Sequence, residues 1–155
     1  MQVEIGLISD THGLLRPGVF GAFEGVEMIL HAGDVGGRDV LVELETIAPV
    51  RAVYGNTDSP GEPGLAASID LRIGGLTIHV SHGHELGRPT TERLLAKYQA
   101  DVIVYGHTHR PLIERSDKRL VVNPGAAGPR RFDLKPSVAR LTVVDGHADV
   151  QLIYL

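Results

Sequence analysis

Short apolar runs separated by helical segments fill the first third of the chain. Residues 3–9, 28–30 and 50–54 are rich in aliphatic and β-branched side chains, which is typical of buried strands. Between them, an early proline in residues 17–24 and the helical spacing of apolar side chains over residues 37–47 predict two short helices. This alternation indicates an α/β fold with parallel strand pairing and right-handed crossovers.

The remaining chain shows hairpins with one further helix and strand between them. Turns are predicted at Gly74–Gly75, near Asp117–Lys118 and at Asp145–Gly146. Residues 89–98 have helical spacing, and residues 102–105 return to a strand pattern. Two stacked sheets with helices on the outside would accommodate both halves of the chain.

Polar residues with metal-binding side chains follow five of the predicted strands. They are Asp10 with His12, Asp34, Asn56, His82, and His107 with His109. Because the carboxyl ends of parallel strands meet at one edge of a sheet, these seven side chains are expected to converge. Oxygen and imidazole donors together suit Mn, Fe, Zn, Co or Ni better than calcium. Seven donors with one bridging carboxylate fit two metal ions about 3.5–4 Å apart.

Each of these side chains also has an ordinary structural interpretation. Asp10 can belong to an Asx-turn, Asp34 can cap a helix, and Asn56 follows a glycine in a common turn dipeptide. A single histidine is usually a structural residue. Five successive strand ends that all carry a metal-competent side chain by chance are much harder to accept, so the metal-site hypothesis is preferred.

Composition and charge indicate a single globular domain and exclude several kinds of site. The 155 residues are 43% hydrophobic and 22% charged, so residues 1–155 are expected to form one domain. The absence of cysteine excludes disulfides and zinc–thiolate sites. A net charge of -4 argues against a broad basic face and therefore against a stable nucleic-acid partner. The amino-terminal residues show no signal-peptide or membrane-span pattern, so a cytoplasmic protein without a membrane partner is expected.

The strand-end motifs resemble, in order, the signature blocks of the calcineurin-like metallophosphoesterase superfamily. The matching blocks are Asp10-Thr11-His12, Gly33-Asp34, Gly55-Asn56, His82-Gly83-His84 and Gly106-His107-Thr108-His109. An Asn123-Pro124-Gly125 block is typical of the small bacterial and archaeal phosphodiesterase branch of that superfamily. The resemblance implies a four-layer αββα sandwich with a dinuclear metal site at the sheet edges.

The resemblance also implies how the donors divide between two metal ions. One ion would be held by Asp10, His12, Asp34 and His109, and the other by Asp34, Asn56, His82 and His107, so Asp34 would bridge. Manganese is the expected metal, with Fe, Zn, Ni, Co or Mg as alternatives. A hydroxide bridging the two ions would attack a phosphodiester.

Two other functions on the same fold stay open. One is a phosphomonoesterase, and the other is a non-catalytic scaffold like the retromer-subunit relatives, in which several ligand positions are altered. The expected substrate is a small phosphoester, with a nucleotide-derived one as a further option. Oligomeric state is undetermined, with a homodimer or homotetramer as alternatives.

The motif blocks do not identify which residue would donate a proton to the leaving group. Many relatives carry histidine after the block asparagine, but this chain has Thr57, so Asp58 and His84 are the remaining candidates. Each has an alternative role, Asp58 as a loop cap and His84 as support for the metal ligands. Asp34 and Asn56 count as catalytic as well as metal-binding positions. A missing acid would favour activated or aryl esters.

Roles are also predicted for three further histidines and one arginine pair. His31 is expected to orient Asp34 rather than bind metal, while His79 and His147 are expected to be structural or solvated. The Arg130–Arg131 pair is interpreted as either a solvated surface pair or a contact for the substrate phosphate.

Overall fold

Two mixed β-sheets stacked face to face form the centre of the molecule. The computed structural model describes residues 2–155. Its strands are β1 (Gln2–Ile8), β2 (Met28–His31), β3 (Val50–Val53), β4 (Leu65–Ala66), β5 (Ile69–Ile73), β6 (Leu76–Val80), β7 (Val102–Val104), β8 (Leu112–Ser116), β9 (Arg119–Asn123), β10 (Ser137–Val144) and β11 (His147–Tyr154). Its α-helices are α1 (Gly18–Ala22), α2 (Arg38–Glu45) and α3 (Thr91–Lys97).

The first sheet has six strands in the order β11-β10-β1-β2-β3-β4. The β1, β2, β3 and β4 strands pair in parallel, which confirms the pairing predicted from the strand–helix alternation. The carboxy-terminal hairpin joins this sheet, with β10 antiparallel to β1. The two ends of the chain therefore complete one sheet.

The second sheet has five strands in the order β5-β6-β7-β9-β8. Its three central strands, β6, β7 and β9, run parallel, and the antiparallel β5 and β8 close its edges. The hairpin turns lie where Gly74–Gly75, Asp117–Lys118 and Asp145–Gly146 predicted them.

Three apolar clusters hold the layers together. Between the sheets, alternate residues such as Leu7, Leu30 and Val104 are fully buried, as strand periodicity requires. The opposite face of the first sheet buries Phe23 and the α2 side chains, and the opposite face of the second sheet packs on Leu94 of α3. The layer order is therefore helix, sheet, sheet, helix, which confirms the αββα sandwich.

Three features of the fold were not predicted from the sequence. The β10 strand begins at Ser137, and its residues Val138 and Ala139 pack into the apolar clusters. Residues 65–66 add a two-residue strand beside β3. A 3-10 turn follows His82 at His84–Leu86. Across residues 2–155, no helix combines the length and apolar character that a membrane span requires.

Candidate metal centre

The seven donor side chains predicted from the sequence meet at one edge of the sandwich. Each lies in the segment that follows a parallel strand: Asp10 and His12 after β1, Asp34 after β2, Asn56 after β3, His82 after β6, and His107 and His109 after β7. A cavity of about 260 Å³ opens above them. Both sheets therefore contribute donors to one concave site.

One group of donors surrounds a single oxygen of Asp10. The Nε2 atom of His109 lies 3.3 Å from Asp10 Oδ1, and the Nε2 atom of His12 lies 3.8 Å from it. These two imidazole nitrogens are 3.4 Å apart. The three side chains are close enough to share one metal ion.

A second group surrounds the side-chain oxygen of Asn56. Its Oδ1 atom lies 3.1 Å from His82 Nε2 and 3.1 Å from His107 Nδ1. The same His82 nitrogen is 3.3 Å from Asp34 Oδ2. Carboxylate, amide and imidazole donors again face one point.

Asp34 lies between the two groups. Its Oδ2 atom is 3.7 Å from His12 Nε2 on one side and 3.3 Å from His82 Nε2 on the other. Its Oδ1 atom accepts a hydrogen bond of 2.9 Å from the Thr57 backbone N–H, which fixes the rotation of the carboxylate. This placement suits a carboxylate that contributes to both groups.

The strongest sign that cations belong here is an unpaired oxygen. Within residues 2–155, Asp10 Oδ1 is buried and has no hydrogen-bond partner, although three imidazole nitrogens lie 3.3–3.8 Å away. A buried carboxylate oxygen without a partner is strongly destabilising. Divalent cations would satisfy it, and the mixed oxygen and nitrogen donors suit transition metals.

Left-handed backbone turns aim most of these side chains inward. Five of the seven donors are non-glycine residues with positive φ: Asp10 (54°), His12 (46°), Asp34 (53°), His107 (72°) and His109 (64°). This conformation costs about 1–2 kcal/mol for each L-residue. Such strain clusters at functional sites, where the surrounding structure enforces it.

Hydrogen bonds behind the donors set their orientation. The Nδ1–H group of His82 donates to the Ala32 carbonyl at 2.7 Å, so Nε2 is the ring nitrogen that faces the site. Asp10 Oδ2 accepts hydrogen bonds from Ser9 Oγ at 2.6 Å and from the His107 backbone N–H at 3.2 Å. Both side chains are therefore oriented by backbone and hydroxyl groups that are not themselves candidate metal donors.

Asp34 and His82 stabilise the charged forms of each other. Burial works to raise the pKa of Asp34, but the hydrogen bond and charge of His82 hold that pKa well below its ordinary value. Burial likewise works to lower the pKa of His82, yet the Asp34 hydrogen bond and the charges of Asp10 and Asp34 raise it overall. A metal ion at this position would therefore displace a proton.

Two supporting residues were not identified from the sequence. Ser9 holds Asp10, as described above. Asn123 donates through Nδ2 to the Gly106 carbonyl at 3.1 Å and to Thr108 Oγ1 at 3.0 Å, which braces the segment carrying His107 and His109. The Asn123-Pro124-Gly125 block marked Asn123 in the sequence. It did not reveal that Asn123 hydrogen-bonds the carbonyl of Gly106, 17 residues away.

The two candidate proton donors occupy different surroundings. Both oxygens of Asp58 are acceptors, for the backbone N–H groups of Val35, Gly36 and Gly55, at 2.9–3.1 Å. The ring of His84 lies 5.4 Å from that of His82 between centroids, and outside the residues that line the cavity. Asp58 therefore bridges two loops, whereas the ring of His84 lies beside the rings of His82 and His107.

The histidines outside the donor set have structural contacts or lie in solvent. His79 hydrogen-bonds Asp70 Oδ1 at 2.8 Å and stacks on Tyr98 with 3.7 Å between ring centroids. His147 is exposed at its hairpin turn. Of the Arg130–Arg131 pair, Arg131 lines the cavity.

His31 is buried and neutral. Its Nδ1 atom accepts from the Gly33 backbone N–H at 3.1 Å, so the ring proton is on Nε2 and is donated to Thr11 Oγ1 at 3.0 Å. The Thr11 hydroxyl in turn donates to the Val35 carbonyl at 2.7 Å. His31 therefore acts on the backbone on both sides of Asp34 rather than on its carboxylate.

Comparison with known proteins identifies similar chains along nearly the whole length. The family model for the calcineurin-like phosphoesterase superfamily domain matches residues 3–146. A probable metallophosphoesterase of Methanothermobacter thermautotrophicus is 38% identical over 96% of this chain and 91% of its own. A phosphodiesterase of Methanocaldococcus jannaschii is 33% identical over 79% of this chain and 83% of its own.

One solved structure with the same fold contains a metal ion. Wild-type Vps29 of Entamoeba histolytica, complexed with Zn²⁺, superimposes with a TM-score of 0.77. It is 26% identical, and the match covers 98% of this chain and 99% of that one.

Gly55 leaves room for the Asp34 carboxylate, and this close approach is testable. A Cβ atom on Gly55 would lie 2.1 Å from Asp34 Oδ1. We expect Gly55→Ala to displace that carboxylate and weaken Mn²⁺ binding by about 10–100-fold, as other losses of ligand orientation do. Calorimetric titration measures the affinity. Gly61→Ala, at a loop position with open space around the Cβ, is the matched control, and equal affinities in the two variants would contradict the account.

His31 predicts how the stability of the metal-free protein depends on pH. Burial lowers its pKa from 6.5 to about 4, so the unfolded chain takes up the proton first as pH falls. The free energy of unfolding should therefore drop by about 2 kcal/mol between pH 7 and pH 5 through this group alone. Urea unfolding in EDTA should show that drop in the wild type and in the surface variant His147→Gln. A drop of the same size in His31→Gln would exclude His31 as its source.

Proposed function

The chain belongs to the calcineurin-like phosphoesterase superfamily, and from this premise we propose that it hydrolyses phosphodiesters with two divalent metal ions at the sheet edge. One ion would be held by Asp10, His12, Asp34 and His109, and the other by Asp34, Asn56, His82 and His107. The observation that carries the proposal is the buried, unpaired Asp10 Oδ1 within reach of three imidazole nitrogens.

When bound, two divalent cations neutralise the phosphoryl oxygens and supply a nucleophile from water at neutral pH. The protein's part is to fix their spacing and orientation. Asp34 reaches both donor groups through one oxygen, and the Thr57 backbone N–H holds its other oxygen. We propose manganese as the working metal, with Fe, Zn, Ni, Co or Mg as alternatives that the same donor types accept.

The leaving group is proposed to depart with little help from a protein acid. Thr57 lines the cavity at the position where many relatives have histidine, and a hydroxyl group is a poor proton donor at pH 7. The three backbone contacts of Asp58 favour its role as a loop brace. His84 is the remaining candidate, although it is not among the residues that line the cavity. Substrates with low-pKa leaving groups, such as aryl esters, should therefore react fastest.

The substrate is proposed to be a small phosphodiester, since the site is an open cavity of about 260 Å³ rather than a long groove. A phosphomonoesterase activity uses the same metal chemistry and is the nearest alternative. The relatives at 38% and 33% identity carry the names metallophosphoesterase and phosphodiesterase, which supports the diester assignment.

A scaffold function is the second candidate, and the Vps29 likeness is the observation that favours it. The complete set of seven metal-competent side chains in this chain supports catalysis instead. The single domain over residues 1–155, the cytoplasmic location and a homodimer or homotetramer stay predictions from the sequence.

Hydrolysis of bis(p-nitrophenyl) phosphate in the presence of Mn²⁺ tests the enzymatic proposal. We expect Asp34→Ala and His109→Ala to reduce the rate by at least about 100-fold, because each removes a metal donor. His147→Ala, which changes an exposed histidine far from the donors, should keep the wild-type rate. Equal rates in all four proteins would remove the proposal. A parallel assay with p-nitrophenyl phosphate separates the diesterase from the monoesterase.

A further inference from the structure

A tight turn at the rim of the cavity projects an aromatic ring into solvent. The Leu134 backbone N–H donates to the Arg131 carbonyl at 2.9 Å, and the Arg130 guanidinium donates to the Asp133 carbonyl at 3.4 Å. Between these contacts lies Phe132, which is 77% exposed, more than any other large apolar side chain in residues 2–155. The turn is therefore closed by its own hydrogen bonds while its central ring has little packing.

The backbone at this ring is in an unfavourable conformation. Phe132 has φ 54° and Asp133 has φ 59°, in the left-handed region that bulky L-residues rarely adopt. In the folded chain alone, neither the exposed ring nor the turn gains apolar burial that would offset this strain. A strained turn that holds an exposed ring at the mouth of a polar cavity leaves that ring available for contact with a ligand.

Arg131 supplies a positive charge beside the donors. It is the one Lys or Arg among the described residues that line the cavity. Within residues 2–155 its guanidinium forms no hydrogen bond or ion pair with the protein. Arg131 lines the same cavity as His12 and His109, two members of the donor group around Asp10.

We propose that Arg131 and Phe132 form a substrate subsite, in which Arg131 binds a phosphoryl oxygen and Phe132 stacks on a planar aromatic group attached to the same phosphate. The inference rests on the proposed function and adds its substrate class: phosphodiesters that carry a nucleobase or another aromatic ring. An Arg guanidinium matches phosphate oxygens in geometry and charge, and aromatic side chains bind rings by stacking.

The size of the cavity favours separate contacts for the phosphoryl group and for the aromatic group. At about 260 Å³ it is smaller than the pockets of about 300–1,000 Å³ that enclose whole ligands. The phosphoryl group must lie among the donors at its base. The group attached to that phosphate then reaches the rim, where Phe132 offers the exposed ring.

Calorimetric binding of matched monoesters to the Mn²⁺-loaded protein tests the subsite without relying on turnover. Adenosine 5′-monophosphate is compared with ribose 5-phosphate, and phenyl phosphate with methyl phosphate, with titrations completed before inorganic phosphate is released. The wild type should bind at least one aromatic member about tenfold more tightly than its partner, the size expected for one stacked ring. Which pair shows the preference distinguishes a nucleobase from a small aryl group.

Variants at the turn separate the two proposed contacts. Phe132→Ala should reduce the aromatic preference to less than twofold and leave the non-aromatic ligands unchanged. Arg131→Gln should weaken both members of a pair by similar factors. Because the chain has no tryptophan, Phe132→Trp introduces a single tryptophan at the rim. This variant should keep the preference for aromatic ligands, and its tryptophan emission should change when the aromatic ligand binds. Phe20→Ala, which removes a 42% exposed ring on α1, is the matched control and should keep wild-type affinities.

The outcomes distinguish this inference from the proposed function. Equal affinities within both pairs in the wild type, or a preference that survives in Phe132→Ala, would overturn the aromatic subsite while Mn²⁺ uptake and diester hydrolysis stay intact. Failure of the wild type to take up Mn²⁺ at all would instead overturn the proposed function on which the subsite rests.

Discussion

Two buried carboxylates and four imidazole rings are crowded at one edge of this sandwich, and their mutual electrostatics governs the local structure. Asp10 and Asp34 are almost completely removed from water, where an unbalanced negative charge is strongly unfavourable. Burial works to lower the pKa of His82, but the Asp34 hydrogen bond and the charges of both carboxylates raise it overall, so a proton on that ring can balance part of the charge. Divalent cations can balance more of it, because they would also satisfy Asp10 Oδ1, which accepts no hydrogen bond within residues 2–155.

The sandwich supplies the rigidity that such an arrangement requires. Apolar clusters on both faces of each sheet fix the strands, so the segments that follow them have little freedom. This explains how five ligand residues can keep left-handed backbone conformations that would relax in a free peptide. Two glycines make room for the carboxylates, since side chains at Gly55 and Gly106 would collide with Asp34 and Asp10. Burial of apolar side chains in the core thus offsets the free-energy cost of a strained and charged site.

Much of the architecture was predictable from local patterns. The apolar runs before Asp10, Asp34 and Asn56 indicated parallel strands, and parallel strands bring their carboxyl ends to one edge. The pairing of β10 with β1 was not predictable, because it joins residues more than a hundred positions apart and no local pattern encodes it. The sequence also suggested that Asp58 could be an acid or a cap, and only the loop packing displays its three backbone partners.

The rim of the site was the least predictable part. In the sequence, Arg131 belongs to a basic pair that has two interpretations. No pattern predicts a role for Phe132, since a single aromatic residue in a loop has no periodicity. Their position beside the donors depends on how the segment between β9 and β10 returns across the sheet edge. The proposed substrate contacts thus depend on long-range packing, whereas the seven candidate donors lie in local motifs.

Anomalous diffraction from crystals grown with Mn²⁺ tests the central claim most directly. The account predicts two peaks about 3.5–4 Å apart, one beside Asp10, His12 and His109 and the other beside Asn56, His82 and His107, with Asp34 in contact with both. A single peak, or peaks away from these side chains, would contradict it.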